Sequence, residues 1–131
     1  MQVFVRKEVD KETRVSATPE TVKKLIDLGM SVCIETNAGY GSFYSDEAYK
    51  NVGAQIIEEV QKPDVLSRSE IILGVLKPTK VEVEHMAPNT LHLSFLDFVK
   101  EKELLECFAQ RSVNVVSLEK MPRTTLAQKM D

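Results

Sequence analysis

Thr18-Pro19-Glu20-Thr21-Val22-Lys23-Lys24-Leu25-Ile26-Asp27-Leu28-Gly29, followed after one residue by Ser31-Val32-Cys33-Ile34-Glu35-Thr36, decides the fold. Thr18 is a helix N-cap, Pro19 suits the first helical position, and Glu20 sits near the positive end of the helix dipole. Val22, Leu25 and Ile26 form one apolar face, and Gly29 stops the helix. Residues 31–36 then read as a buried strand. A first strand, Gln2–Lys7, precedes the helix. The segment is therefore strand, helix, strand, which implies two parallel strands joined by a helical crossover.

The alternation continues to the end of the chain. Ser45 caps a short helix over Asp46–Val52, ended by Gly53, and Ala54–Ile57 is a third strand. A weaker helical segment over 58–68 leads to a fourth strand, Glu70–Val75. A brief helix over Thr79–Met86 precedes a fifth strand, Thr90–Leu96. Lys100–Arg111 is a helix with Leu104, Leu105 and Phe108 on one face, and Asn114–Leu118 closes the series. This pattern predicts an α/β fold: a mostly parallel, doubly wound, flavodoxin- or Rossmann-like sheet with helices on both faces. With 131 residues, no internal linker and no repeat, a single domain spanning 1–131 is expected.

Composition narrows the functional classes. A formal net charge of -3, with basic and acidic residues interleaved, gives no electrostatic footprint for nucleic acid or anionic membrane. The most apolar stretch, Ile71–Leu76, is far shorter than a membrane helix requires, and residues 1–6 lack a signal-peptide pattern. Cys33 and Cys107 fall in a strand and a helix without CxxC spacing, as reduced core thiols do, so a cytoplasmic address is expected. Two histidines, His85 and His92, are too few and too poorly partnered for a metal site, and His92 reads as a satisfied structural residue.

Other motifs are weak. Gly39-Tyr40-Gly41 lacks the third glycine of a dinucleotide fingerprint, because position 44 is Tyr; these glycines read instead as positions for positive φ angles. Glu58-Glu59 reads as a helix N-terminal turn, and no G-x-S-x-G nucleophile pattern occurs.

Two places look suited to a ligand, because open α/β sheets bind ligands beyond the carboxyl ends of their strands. Arg14 follows the first strand, four residues before the Thr18 cap. There it is either a surface arginine or a guanidinium that grips a carboxylate or phosphate bidentately. Arg123, Gln128 and Asp131 follow the last strand and read as half of a binding site.

Three segments resemble one family in the right order. Arg14-Val15-Ser16-Ala17-Thr18-Pro19 is similar to the "RVAxTP" segment that opens the N-terminal domain of alanine dehydrogenases and nicotinamide nucleotide transhydrogenases. Residues 37–46, with Val52-Gly53-Ala54 after them, resemble "GAGxGxxFSDxxY". Pro122-Arg123 with Ala127-Gln128-Lys129-Met130-Asp131 resembles "PRxxxAQxMD". The resemblance covers essentially the whole chain.

It implies one of two chemistries. Alanine dehydrogenases use an arginine, a lysine and a histidine around the amino acid. Arg14 matches the arginine, but Leu76 takes the lysine's place, with Lys77 one residue away, and Asp97 takes the histidine's. An ionised carboxylate is acceptor-only and a poor substitute for an imidazole acid/base. The transhydrogenase alpha subunit is therefore the better match. There the resemblance implies that Arg123, Gln128 and Asp131 approach the nicotinamide end of NAD(H), while Leu126 replaces a second arginine. The implied reaction is hydride transfer between NADH and NADP+, with NADP(H) on a partner domain and proton translocation by membrane subunits, and no catalytic acid or base on this chain.

The expected partners are the glycine-fingerprint NAD-binding domain that the chain lacks, a second copy in a homodimer, and the NADP(H)-binding and membrane subunits. By itself the chain is expected to be inactive, and its place peripheral to the inner membrane through the complex. The contrasting expectation is a stand-alone ligand-binding or interaction module without catalysis.

Overall fold

The computed structural model describes residues 1–9, 11–97 and 99–118. Six strands form one sheet: β1 Gln2–Val5, β2 Ser31–Glu35, β3 Gln55–Ile57, β4 Ile71–Leu73, β5 Leu91–Ser94 and β6 Asn114–Ser117. Five helices connect them: α1 Pro19–Asp27, α2 Asp46–Asn51, α3 Lys62–Arg68, α4 Lys80–His85 and α5 Lys102–Gln110. Every strand pairing is parallel, in the order β3-β2-β1-β4-β5-β6. The doubly wound fold expected from the alternation is the one found.

Strand alternation sends side chains to two cores. Val3 and Val5 pack with Val22 of α1 and Tyr49 of α2 on one face. Phe4 packs on the other with Val65 and Leu66 of α3, Val83 of α4 and Phe108 of α5. Burial on both faces explains why the strands are apolar runs rather than alternating polar and apolar sequences.

The helix signals are visible as hydrogen bonds. Thr18 Oγ1 accepts from the Thr21 amide, Ser45 Oγ from Ala48, and Thr79 Oγ1 from Glu82. Gly29 holds φ at 97° just past α1, where a side chain would be strained. Several strands end one or two residues earlier than their apolar composition suggests. Arg6 and Lys7, and likewise Gly74 and Val75, have left the strands and enter the loops that build the carboxyl edge of the sheet.

The glycine reading of the 37–44 loop is corrected. Its left-handed residues are Asn37 and Phe43, at φ 63° and 66°, while Gly39 has φ -93°. Gly39 and Gly41 are needed for close approach instead. A Cβ on Gly39 would lie 2.8 Å from the Tyr49 ring, and one on Gly41 would lie 2.8 Å from the Thr13 Cα. No described helix is long and apolar enough to cross a membrane.

Candidate functional site

The strand order runs outward in both directions from the neighbours β1 and β4, and at such a switch point the loops diverge and leave a crevice. A cleft of about 400 Å³ opens there. Arg14, Val15, Ser16 and Thr18 come to it from the β1–α1 loop. Gly74 and Val75 come from the end of β4, Phe95 from the end of β5, Leu118 from the end of β6, and Ser42 and Tyr44 from the loop after β2. Its lining is largely apolar, with a few polar groups at the rim.

The loop carrying Arg14 is fastened from the β2 side. Ser42 Oγ donates to the Thr13 carbonyl at 2.6 Å, beside the close approach of Gly41. The Tyr49 hydroxyl donates to the Ala17 carbonyl at 2.8 Å, and burial pushes that phenol up to about 12, so it remains a donor. Asp46 in turn accepts from Thr36 Oγ1 at 2.7 Å and from the Asn37 amide at 2.9 Å. The loop resembling the second family motif thus braces the first.

At the rim, the exposed Arg14 guanidinium pairs with Glu12, and that pairing raises the arginine and lowers the carboxyl. Ser16 Oγ is buried and without a hydrogen-bond partner among the described residues. A buried unpaired hydroxyl is unfavourable, and rotation about its Cα–Cβ bond is what would turn it from the cleft wall toward a ligand group.

Against Gly74 of the cleft lies a charge cluster that sequence reasoning missed. Arg6 is fully buried. Its Nε and Nη2 donate to both oxygens of Glu82 at 3.0 and 2.9 Å, and its Nη1 donates to the Leu76 carbonyl at 2.9 Å and to Glu8 at 3.3 Å. Lys62 bridges Glu82 at 2.9 Å and Glu35 at 3.1 Å. One signal was available: Thr79-Lys80-Val81-Glu82 is a capping box, and Glu82 completes it by accepting from the Thr79 amide at 2.8 Å. A charged residue ending an apolar strand was the other.

The structure separates the remaining candidates from the cleft. Lys77 pairs with Glu101, and Asp97 accepts from the amides of Val99 and Lys100, so both are engaged in local contacts. His92 is only half satisfied: Nε2 is 2.9 Å from Ser94 Oγ, but Nδ1 has no partner among the described residues, which corrects the sequence reading. No group of three metal-ligating side chains occurs among the described residues, and Cys33 and Cys107 are free thiols. Arg123, Gln128 and Asp131 lie outside the described residues.

The alanine dehydrogenase/PNT N-terminal domain family matches residues 4–131. The NAD(P) transhydrogenase subunit alpha of Haemophilus influenzae is 31% identical over 126 residues, covering 96% of this chain and 24% of the relative. Alanine dehydrogenase 1 of Staphylococcus aureus is 34% identical over 118 residues, covering 89% of this chain and 31% of the relative. A transhydrogenase from Sinorhizobium meliloti superposes with a TM-score of 0.91 at 32% identity, covering all of this chain and 39% of that one. The chain thus spans about a quarter to a third of the length of the curated relatives it matches.

Proposed function

The chain belongs to the alanine dehydrogenase/PNT N-terminal domain family, and from that premise we propose that it is the N-terminal part of an NAD(H)-binding transhydrogenase alpha subunit, whose β1/β4 cleft is one wall of the nicotinamide site. The observation that carries the proposal is the combination found in that cleft. It has an apolar floor at the switch point, an unpaired buried Ser16 hydroxyl and a cation at the rim, while Lys77 and Asp97 are occupied elsewhere. Such a lining fits a flat, weakly polar ring whose amide satisfies Ser16, and it offers no acid/base pair for deaminating an amino acid.

Bound NADH would supply a hydride to NADP+ held on a partner domain, one nicotinamide being oxidised as the other is reduced. The residues of this chain position and exclude water. Val15, Val75, Phe95 and Leu118 give the ring a dry face, and Ser16 orients its carboxamide. Arg14 holds a carboxylate, phosphate or partner acid at the rim, and Arg123, Gln128 and Asp131 complete the wall. The partners in this reading are a glycine-fingerprint NAD-binding domain, a second copy of the chain, and NADP(H)-binding and membrane subunits. They would keep the domain cytoplasmic and peripheral to the inner membrane.

The test is hydride exchange between NADH and an NADP+ analogue, using the protein purified from its source cells and supplied with an NADP(H)-binding component. Exchange that falls at least about tenfold in Arg123→Ala and Ser16→Val supports the reading. Alanine-driven reduction of NAD+ dependent on Lys77, with no exchange activity, would replace it with the dehydrogenase.

A further inference from the structure

We infer that Arg6 is a positioning residue for the cleft, fixing the backbone of residues 74–76, the first two of which line it; this rests on the functional reading above only for what the cleft holds. The Arg6 side chain is wholly shut off from water. Burying a guanidinium is costly, and a well-packed apolar residue of similar volume generally does as well or better for stability. Stability therefore does not account for a charge here. What an apolar side chain cannot do is make directional bonds to the loop.

Those bonds, with the ones Glu8 adds, fall on two consecutive residues, Val75 and Leu76, beside Gly74. Arg6 Nη1 donates to the Leu76 carbonyl at 2.9 Å. Glu8, two residues on and 3.3 Å from the same Nη1, accepts from the Val75 amide at 3.0 Å and from the Leu76 amide at 2.7 Å. Gly74 lies directly against the guanidinium: a Cβ there would fall 2.8 Å from Nη1. The two-point grip of Glu82 sets the plane of the guanidinium, and Glu82 is itself held by the Thr79 amide and Lys62. Of these loop residues, Gly74 and Val75 line the same cleft as Arg14. The exit of β1 thus carries both the rim cation and, through Arg6 and Glu8, the placement of this second part of the lining. Lysine cannot replace Arg6, because one ammonium cannot meet two Glu82 oxygens and the Leu76 carbonyl in the fixed directions of a guanidinium.

The experiment measures amide hydrogen exchange at Val75 and Leu76 and titrates free nicotinamide, read from the amide shifts of Ser16 and Val75. It uses the wild-type chain, Arg6→Lys, Arg6→Met, Gly74→Ala and Leu104→Ala. The first three variants are expected to lose at least about tenfold of the protection at 75 and 76 and to weaken nicotinamide by a similar factor. Leu104→Ala opens a cavity in the core beneath α5, outside the charge cluster; it should lower the melting temperature while leaving both loop readouts unchanged. If Arg6→Lys keeps wild-type protection, or if Leu104→Ala loosens the loop as much as Arg6→Met, the cluster is merely stabilising and the inference fails. Should Arg6→Met not fold, Gly74→Ala decides by the same readouts. The functional reading is decided separately, by the hydride-exchange test above; where the wild-type chain shows no response to free nicotinamide, loop protection alone decides the positioning role.

Discussion

Arg6 and Glu82 meet side-on through two hydrogen bonds of 3.0 and 2.9 Å, and neither side chain is more than 8% exposed. Burial alone would raise the Glu82 carboxyl. The Arg6 hydrogen bonds and charge, with Lys62 and the Thr79 amide, outweigh it and hold the group near 2, below its ordinary 4.5. A depressed carboxyl contributes stability that is present above its unfolded value and is lost as pH falls toward the folded one. Stability should therefore fall by about 3 kcal/mol between pH 4.5 and 2 through this group. Glu82→Gln should cost about 3 kcal/mol at pH 7, because it leaves Arg6 buried without its partner, and should flatten that acid limb. Urea denaturation at pH 7, 4 and 3 checks both; an unchanged acid limb in the variant would assign it to other carboxylates.

His92 adds an earlier acid step. It is wholly buried, stacked at 5.7 Å on Phe108, and pushed down to about 4, first by burial and then by the nearby Arg6 charge. The folded form resists the proton that the unfolded chain accepts below about 6.5, so stability is full above that pH and declines as pH drops toward 4. A loss on the order of 3 kcal/mol is expected across that window. His92→Leu should remove this decline and leave the Glu82 step below pH 4.5. Melting temperature against pH from 7.5 to 4 is the measurement, and parallel curves for the two proteins would contradict it.

The architecture was legible because its signals are local. The Thr18, Ser45 and Thr79 caps lie within three residues of the amides they bind, and apolar runs are read without knowing what they pair with. Placing Arg14 at the carboxyl end of β1 needed only the strand-helix order. The Arg6 cluster was hidden because its partners lie 76 positions away at Glu82 and 70 at Leu76, a juxtaposition set by β1 pairing with β4. Gly39 and Gly41 were misread for a similar reason: close approach to Tyr49 and Thr13 leaves no trace in local sequence, whereas a positive φ angle is the usual guess for a loop glycine. Strand ends were overestimated where Gly74 and Val75 remain apolar after leaving the ladder, since they line the cleft.

Gly41 ties the two family-like motifs together sterically. A Cβ there would meet the Thr13 Cα at 2.8 Å and its carbonyl oxygen at 2.9 Å, and both are backbone atoms that cannot swing aside. Gly41→Ala should therefore push the β1–α1 loop away, break the Ser42–Thr13 hydrogen bond and destabilise the chain by about 1–3 kcal/mol. Its amide shifts should change through residues 13–16, close to Arg14. At Gly29 a Cβ meets nothing within 4 Å and only the φ of 97° is unfavourable, so Gly29→Ala should cost about 1 kcal/mol and leave residues 13–16 unmoved. Equal shifts at 13–16 in both variants would refute the steric account.

Glu12 sets how available Arg14 is at the rim. The two side chains pair across one intervening residue, and the arginine is the more exposed partner. Any anion gripped by Arg14 must displace or share that carboxylate. Glu12→Gln should therefore strengthen binding of a small carboxylate such as pyruvate a few-fold, since an exposed pair is weak and screened by salt. Arg14→Ala should abolish that binding, and Arg14→Lys should weaken it by losing the bidentate geometry. The gain from Glu12→Gln should shrink at high salt, where the pair is already loosened. Titrations followed by the amide shifts of residues 14–16 at low and high ionic strength measure all four effects. Binding that survives Arg14→Ala would move the anion site away from this rim, and a loss of affinity in Glu12→Gln would mean that Glu12 orients Arg14 rather than competing for it.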